Sequence, residues 1–455
     1  MLSVKELFKV GHGPSSSHTI APTRMCHYIL DHYEKEGIDH LKITLYGSFA
    51  LTGKGHLLDR AVDEVFAKYP HEFVWDLKTQ PKHPNMMRVE VFGKGNKPIA
   101  DKMFISVGGG TFTVEGDEPA KDVYPFKTFA DMKEEIKKEK LTPFQFLCKY
   151  EPKEELIKLY DQMIESFEGT IKSGLSKTGV IEGIVAFDRR AKAVYDSVKA
   201  NDTEWIKRIK LVSAYGIATN EEAVAYGMVV TAPTCGSAGT MPGAYKWAVD
   251  KYKPTKERIY EAFSAAALVG ITIKQNGSVA GATGGCQAEV GVATGLAAAM
   301  YSVIAYNADI DEVEKSAETA LQQLVGMTCD AVGQCAYVPC IQRNGIYAMR
   351  AISSAEQAHL LKGQRQMVHI DDTIKILYQS GNELIDGYRE TSKLGLAKHC
   401  KYTLKFTKNI QFDEEGKEPK EEAKPDAKKQ EVKSTTKAPA KLDPKVKAKA
   451  EKTAC

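Results

Sequence analysis

The chain reads as a small α+β N-terminal domain followed by a mostly all-α domain, and three changes of pattern predict it. Over residues 1–125, short runs of alternating apolar residues are separated by glycine-rich loops, as strands with tight connections require. From about residue 131 the apolar residues recur at three- and four-residue spacing, which gathers them on one face of a helix. After residue 400 the composition turns to Lys, Glu, Pro and Ala with almost no aromatics. Such a segment buries too little apolar area to offset its ordering entropy, so a disordered tail is expected over 401–455. The expected division is 1–125, 140–400 and 401–455.

The totals narrow the function. At 455 residues the chain is long for one domain, and 43% hydrophobic with 27% charged is the make-up of a soluble globular protein. The net charge of +3 comes from the tail, which leaves no basic surface for nucleic acid in the folded part. Nine cysteines, an odd number with no leader-like apolar stretch in the first residues, argue for free or metal-bound thiols in the cytoplasm. The apolar run 290–307 is long enough for one bilayer crossing at ~1.5 Å per residue. It is rich in Gly and Ala and bracketed by Glu289 and Asp309, so a buried helix is expected and no membrane partner.

In order, residues 3–10 predict a short helix with Ser3 as N-cap and Glu6 closing a capping box. A loop follows, Gly11-His12-Gly13-Pro14-Ser15-Ser16-Ser17-His18-Thr19, and it opens a helix over 21–36. Hydroxyls and free N–H groups at a helix start suit a carboxylate or phosphate. Residues 40–46 alternate as a strand and end in a second glycine loop, Gly47 to His56. Its Gly53-Lys54-Gly55 order does not meet the phosphate-loop pattern, so a nucleotide site is not expected. Residues 88–92 and 103–107 are further strands, with His83-Pro84-Asn85 before the first. Residues 149–173 and 181–199 are read as long amphipathic helices, 263–273 as an apolar one, and 276–285 as a stretch of small residues that lets backbone approach a ligand.

Residues 284–344 hold three cysteines, Cys286, Cys329 and Cys340, spaced 43 and 11 positions apart in unlike settings. Each stands next to Gly, Thr or Pro, with polar company in Gln287, Glu289, Asp330 and Arg343. The spacing fits no zinc finger or ferredoxin run; it fits a cluster assembled from distant loops, and a [4Fe–4S] cluster with one open iron is the expectation. Cys235 and Cys335 are rival ligands, and Cys26 and Cys148 sit in apolar helical patterns as core residues.

Several motifs together resemble the iron–sulfur L-serine dehydratases (L-serine ammonia-lyases) of bacterial single-chain type. They are Gly13 to Thr19, Leu45 to His56, Ser106 to Gly110, Thr231 to Gly239, Gly285 to Gly291, Thr328-Cys329-Asp330 and Pro339 to Asn344. The resemblance covers residues 5 to about 400 in family order. It implies an α+β small domain, an all-helical catalytic domain, Cys286, Cys329 and Cys340 as cluster ligands, and a homodimer. It also implies conversion of L-serine to pyruvate and ammonia without pyridoxal phosphate. His18, His56 and His83 are the acid–base candidates, with no choice among them and His12 a weaker fourth. Ser15, Ser16, Ser17, Thr19, Lys54, Asn85 and Arg343 are the substrate-binding candidates. Family members end in a cysteine that caps the open iron; here the matching stretch, Arg389 to Cys400, is followed by 55 more residues that end in Cys455, so both cysteines are candidates. The alternatives are a β-eliminating lyase for threonine or cysteine, a non-catalytic iron–sulfur redox sensor, and a zinc-stabilised structural protein.

Overall fold

The computed structural model describes residues 1–400 except 119, 183–185 and 335. The tail, with Cys455, and the rival ligand Cys335 lie outside the described residues. An α/β part precedes a mostly helical one, as expected. Six strands lie in the first part: β1 Val10–His12, β2 His40–Gly47, β3 His71–Asp76, β4 Asn85–Gly93, β5 Lys97–Gly108 and β6 Thr111–Val114. Strands β2 to β6 form one sheet in the order β3-β2-β4-β5-β6, parallel between β2 and β3 and antiparallel elsewhere. One face of the sheet carries Leu41, Ile43, Leu45, Met87, Val89, Val91 and Phe104, and it packs on Met25, Ile29, Leu58 and Val62 of the helices Ala21–Tyr33 and Leu58–Val65.

The helical part is built around Val290–Tyr306, which is buried from Val290 to Ile304. Small residues make that possible: a Cβ at Gly295 would sit 2.9 Å from Leu321 Cγ of the neighbouring Ile310–Gln322 helix. Helices Thr240–Tyr252, Lys256–Asn276 and Cys340–Leu360 pack around it into one apolar core, and Glu204–Val224 packs on the first and last of these. No single helix among the described residues is long and apolar enough to cross a membrane.

The chain begins inside this helical core. Met1, Val4, Leu7 and Phe8 are buried there, and the Met1 ammonium donates to the Tyr124 carbonyl at 2.7 Å. The chain then leaves through β1, which pairs with the later strand Met228–Val230.

Three local expectations are corrected. Residues 3–10 form only the 3-10 turn Val4–Glu6: Ser3 is its N-cap as expected, accepting from Lys5 N–H, but the capping box does not close because Glu6 turns to Arg24 and Lys9. The 21–36 helix stops at Tyr33, continues as a 3-10 turn and ends at Gly37 with φ 84°. Residues 181–199 hold β7 Val180–Ile181, β8 Phe187–Asp188 and only a short helix, Ala191–Asp196. There Arg189 pairs with Glu222 at 2.8 Å and the Arg190 and Ala191 N–H groups donate to Glu221, so buried carboxylates on the next helix override the periodicity.

Asn344 ties two loops to one helix end. Its side chain accepts from Gly239 N–H and the Thr240 hydroxyl, both at 2.9 Å, and donates to the Gly236 and Cys340 carbonyls, both at 2.8 Å. Asn344→Leu keeps the volume and orphans those partners. A loss of ~3–5 kcal/mol in denaturant unfolding is expected, and a loss under ~1 kcal/mol would contradict this role.

Candidate active site

A cavity of about 410 Å³ opens where the loops of the sheet face the loops of the helical part. Its sheet-side wall includes Ser15, Ser16, Ser17, His56, His83, Asn85 and Ser106; its helical wall includes Thr234, Lys274, Glu289, Cys329, Cys340 and Glu390.

The three cysteines arrive on three segments. Cys286 sits in the 3-10 turn Gly285–Ala288, entered through Gly285 at φ 69°, where a Cβ would be 2.9 Å from the Met327 carbonyl oxygen. Cys329 is clamped by backbone, its N–H donating to Tyr388 O at 2.8 Å and its carbonyl accepting from Glu390 N–H at 3.0 Å. Cys340 is the first residue of Cys340–Leu360. The Cys286 and Cys329 sulfurs and a Glu289 carboxylate oxygen lie within 4.8 Å of one another, and Cys286 is hydrogen-bonded to both other thiols.

The Cys329 and Cys340 thiols, and then the Arg343 guanidinium, favour a thiolate at Cys286 and hold its pKa well below the ordinary value. Donating to that thiolate pushes Cys329 and Cys340 up. Arg343 also donates to the Thr328 carbonyl at 2.9 Å, which holds it beside the sulfurs. Three convergent soft donors, a neighbouring cation and open space beside two of them fit a thiolate-held metal group. Cys235 does not join them: it is buried among Ile20, Ala223, Val229 and Ala238, and burial pushes its thiol up. Cys26 is core, as expected, and Cys148 is half-buried.

The histidines separate by their partners. His56 lines the cavity, and its Nδ1 lies 3.0 Å from the Thr52 carbonyl. A carbonyl only accepts, so Nδ1 carries the proton and Nε2 keeps its lone pair. His83 is the reverse: its Nδ1 accepts the Asn85 N–H at 3.1 Å, so Nε2 carries the proton in the neutral ring. His18 lies behind the wall, 4.8 Å from the His56 ring centroid. Its Nε2 meets the Thr52 hydroxyl and its Nδ1 the Ser17 hydroxyl, both at 2.9 Å. Burial lowers the pKa of His18, His56 and His83, and a charge on His56 lowers that of His18 further. His12 stacks on Tyr226 and takes no part in the wall.

Ser15, Ser16, Ser17 and Asn85 thus line the cavity, and Arg343 stands behind the sulfurs. Thr19 does not line it; its hydroxyl donates to the His12 carbonyl at 2.6 Å and serves the loop's own fold. Lys54 lies over the Trp75 ring, 5.6 Å from its centroid, and is not part of the lining. Cys400 is half-buried just beyond the helix Gly395–His399 and does not line the cavity. The segment before it is fastened to the Cys329 loop, Ser392 Oγ donating to Ala331 O at 2.6 Å and Leu396 N–H to Asp330 at 2.8 Å.

Three lining residues were not among the sequence candidates. Glu289 and Glu390 are half-buried carboxylates that meet at Gly281, where a Cβ would lie 2.4 Å from one and 3.3 Å from the other. Burial and the Cys286 charge push Glu390 up to about 7. Glu289 was legible as the residue three after Cys286. Glu390 lies in the Arg389 to Cys400 stretch, which the sequence marked only for its cysteine, and Lys274 stands at the end of an apolar helix.

Fold and cavity together define a two-part chain, a β-type part with histidine loops and an α-type part with three thiols. The model of the serine dehydratase beta chain matches residues 3–64, and that of the serine dehydratase alpha chain matches residues 94–397. The L-serine dehydratase TdcG of Escherichia coli (strain K12) is 30% identical over 452 residues, covering 87% of this chain and 99% of that protein. The L-serine dehydratase of Haemophilus influenzae is 30% identical over 451 residues with the same coverage, 87% and 99%. That of Helicobacter pylori (strain ATCC 700392 / 26695) is 29% identical over 457 residues, covering 88% and 99%. The chain belongs to the serine dehydratase family.

Proposed function

We propose that the chain is an L-serine ammonia-lyase and that Cys286, Cys329 and Cys340 hold a [4Fe–4S] cluster. The observation that carries the reading is the convergence of three thiols from distant segments, two of which, Cys329 and Cys340, line the cavity that His56, His83 and the serine loop also line. When bound, the cluster supplies an open iron as a Lewis acid for the serine hydroxyl.

The chain's own residues supply the rest. Ser15, Ser16 and Ser17 present hydroxyls and loop N–H groups to the substrate carboxylate. His56 takes the Cα proton at Nε2; burial keeps its ring neutral at physiological pH, as a base must be. His18 packs on the His56 ring and, with Thr52 and Ser17, fixes its own orientation. His83 offers its Nε2 proton to the departing hydroxyl, and Asn85, whose N–H sets the His83 tautomer, lies beside it. Loss of water leaves an enamine, which tautomerises to an imine and hydrolyses to pyruvate and ammonia. The Cys329 and Cys340 thiols, with Arg343 beside them, favour at Cys286 the thiolate that a metal needs.

An anaerobic preparation tests the reading. The protein should be brown and form pyruvate from L-serine, and His56→Ala should lower kcat by ~100-fold or more with the visible absorbance unchanged. Because burial lowers the His56 pKa, activity should hold as pH falls to about 6.5 and fail only below it. A colourless protein, or a His56→Ala rate near normal, would contradict the assignment.

Fastening of residues 389–396 to the Cys329 loop supports Cys400 as the cap of the open iron, in preference to Cys455. Cys400→Ala should then shorten the lag before full activity; an unchanged lag with Cys400→Ala and a shortened one with Cys455→Ala would assign the cap to the tail end.

A further inference from the structure

The cavity has a cationic wall that the mechanism above leaves unused. Lys274, near the end of Lys256–Asn276, lines it together with Thr111. The Lys274 ammonium donates to the Glu6 carbonyl at 2.5 Å and to Thr111 Oγ1 at 2.6 Å, and it is hydrogen-bonded to the Lys9 side chain. Behind it lies Lys9, 7% exposed, donating to the same Thr111 oxygen at 3.1 Å and pairing with the Glu6 carboxylate at 3.2 Å. The Thr111 hydroxyl, accepting from both lysines, donates to Glu6 at 2.9 Å. Arg24 completes the group, 3.0 Å from Glu6 and donating to Gly110 O at 2.7 Å.

Among the described residues, Glu6 is the one carboxylate of this group; it pairs with Lys9 and Arg24, while Lys274 reaches only its backbone carbonyl. Even with Lys9 neutral, a surplus of one positive charge stands on a wall of low dielectric. A buried cation without a counter-ion is costly, and such a surplus beside a cavity attracts an anion. The cavity, at about 410 Å³, also has room for more than one molecule the size of a three-carbon acid.

We propose that Lys274 is a carboxylate-recognition point, taking either the substrate's own carboxylate or that of a second small acid beside it. The inference rests on the serine reading and extends it to a residue outside the histidine and serine loops. A further observation agrees. Burial, with Arg24, lowers Lys274 to about 8, while Lys9 and Arg24 hold Glu6 down at about 2 against the upward push of burial. Lys9, Arg24 and Glu6 are the charged groups that face Lys274. Carboxylate affinity is therefore full below about pH 8 and declines as pH rises through it.

The test compares Lys274→Met and Lys274→Arg with wild type as anaerobic holoenzyme. The readouts are KM and kcat for L-serine, Ki for 3-hydroxypropionate, which has the carboxylate and hydroxyl but no amine, and the response of the rate to added acetate. If Lys274 takes the substrate's carboxylate, Lys274→Met raises both KM and Ki by roughly 10- to 100-fold at unchanged kcat, and Arg restores part of it. If it takes a second acid, KM stays and the acetate response vanishes in Met and persists in Arg. Wild-type values for all three in a folded Lys274→Met variant overturn the proposal. Should Lys274→Met fail to fold, the wild-type Ki decides: it must rise about tenfold per pH unit well above 8, and a flat profile overturns the proposal. Failure of the serine reading is seen separately, as absence of pyruvate from serine in the wild type.

Discussion

Three sulfur atoms must be brought within reach of one another from positions 43 and 11 residues apart in the chain, and much of the helical part answers to that demand. Thiols crowded in a buried site lose their charge unless cations and hydrogen-bond donors hold it. Arg343, one turn into the helix that Cys340 begins, supplies the cation; the Cys329 and Cys340 thiols supply the donors. Backbone does the aiming. Gly285 lets the Cys286 turn pass the Met327 carbonyl, and Cys329 is gripped on both sides by Tyr388 and Glu390. Asn344 then fastens the start of the Cys340 helix to the 236–240 loop, so the sulfur positions are tied to the core.

The sheet region solves a different problem, which is to keep histidines neutral and in fixed tautomers at the edge of a polar cavity. It does so with backbone partners of opposite kind. A carbonyl accepts from His56 Nδ1 and an N–H donates to His83 Nδ1, so two similar rings present a lone pair and a proton respectively. The proposed division of labour between base and donor thus rests on two main-chain groups. That division joins local structure to chemistry, because each main-chain group sits at the end of its own short element, Thr52 closing a helical turn and Asn85 opening β4.

Much of this was legible in the chain before any coordinates. The cysteine settings, small and polar on each side, pointed to three residues that the fold brings together, and the glycine loops with terminal histidines pointed to the opposite wall. Roles within the histidine set were hidden, since a tautomer depends on a main-chain group delivered by folding. Thr19 and Lys54 share motifs with lining residues, yet the chain turns their side chains to other partners. Residues 181–199 show the helix period but yield to Glu221 and Glu222, carboxylates some thirty residues further on. Lys274 and Glu390 adjoin stretches singled out for other reasons, the small residues 276–285 and the cysteine-ending 389–400; only the fold sets them on the cavity.

The central claim is that thiols, histidines and substrate share one cavity, so that substrate meets the metal group directly. Mössbauer spectra of iron-57-enriched holoenzyme, recorded with and without saturating L-serine in the His56→Ala background to block turnover, test it most directly. The account predicts that the signal of one iron changes on binding while the remaining irons, held by Cys286, Cys329 and Cys340, keep theirs. Spectra that are identical with and without bound L-serine would contradict it.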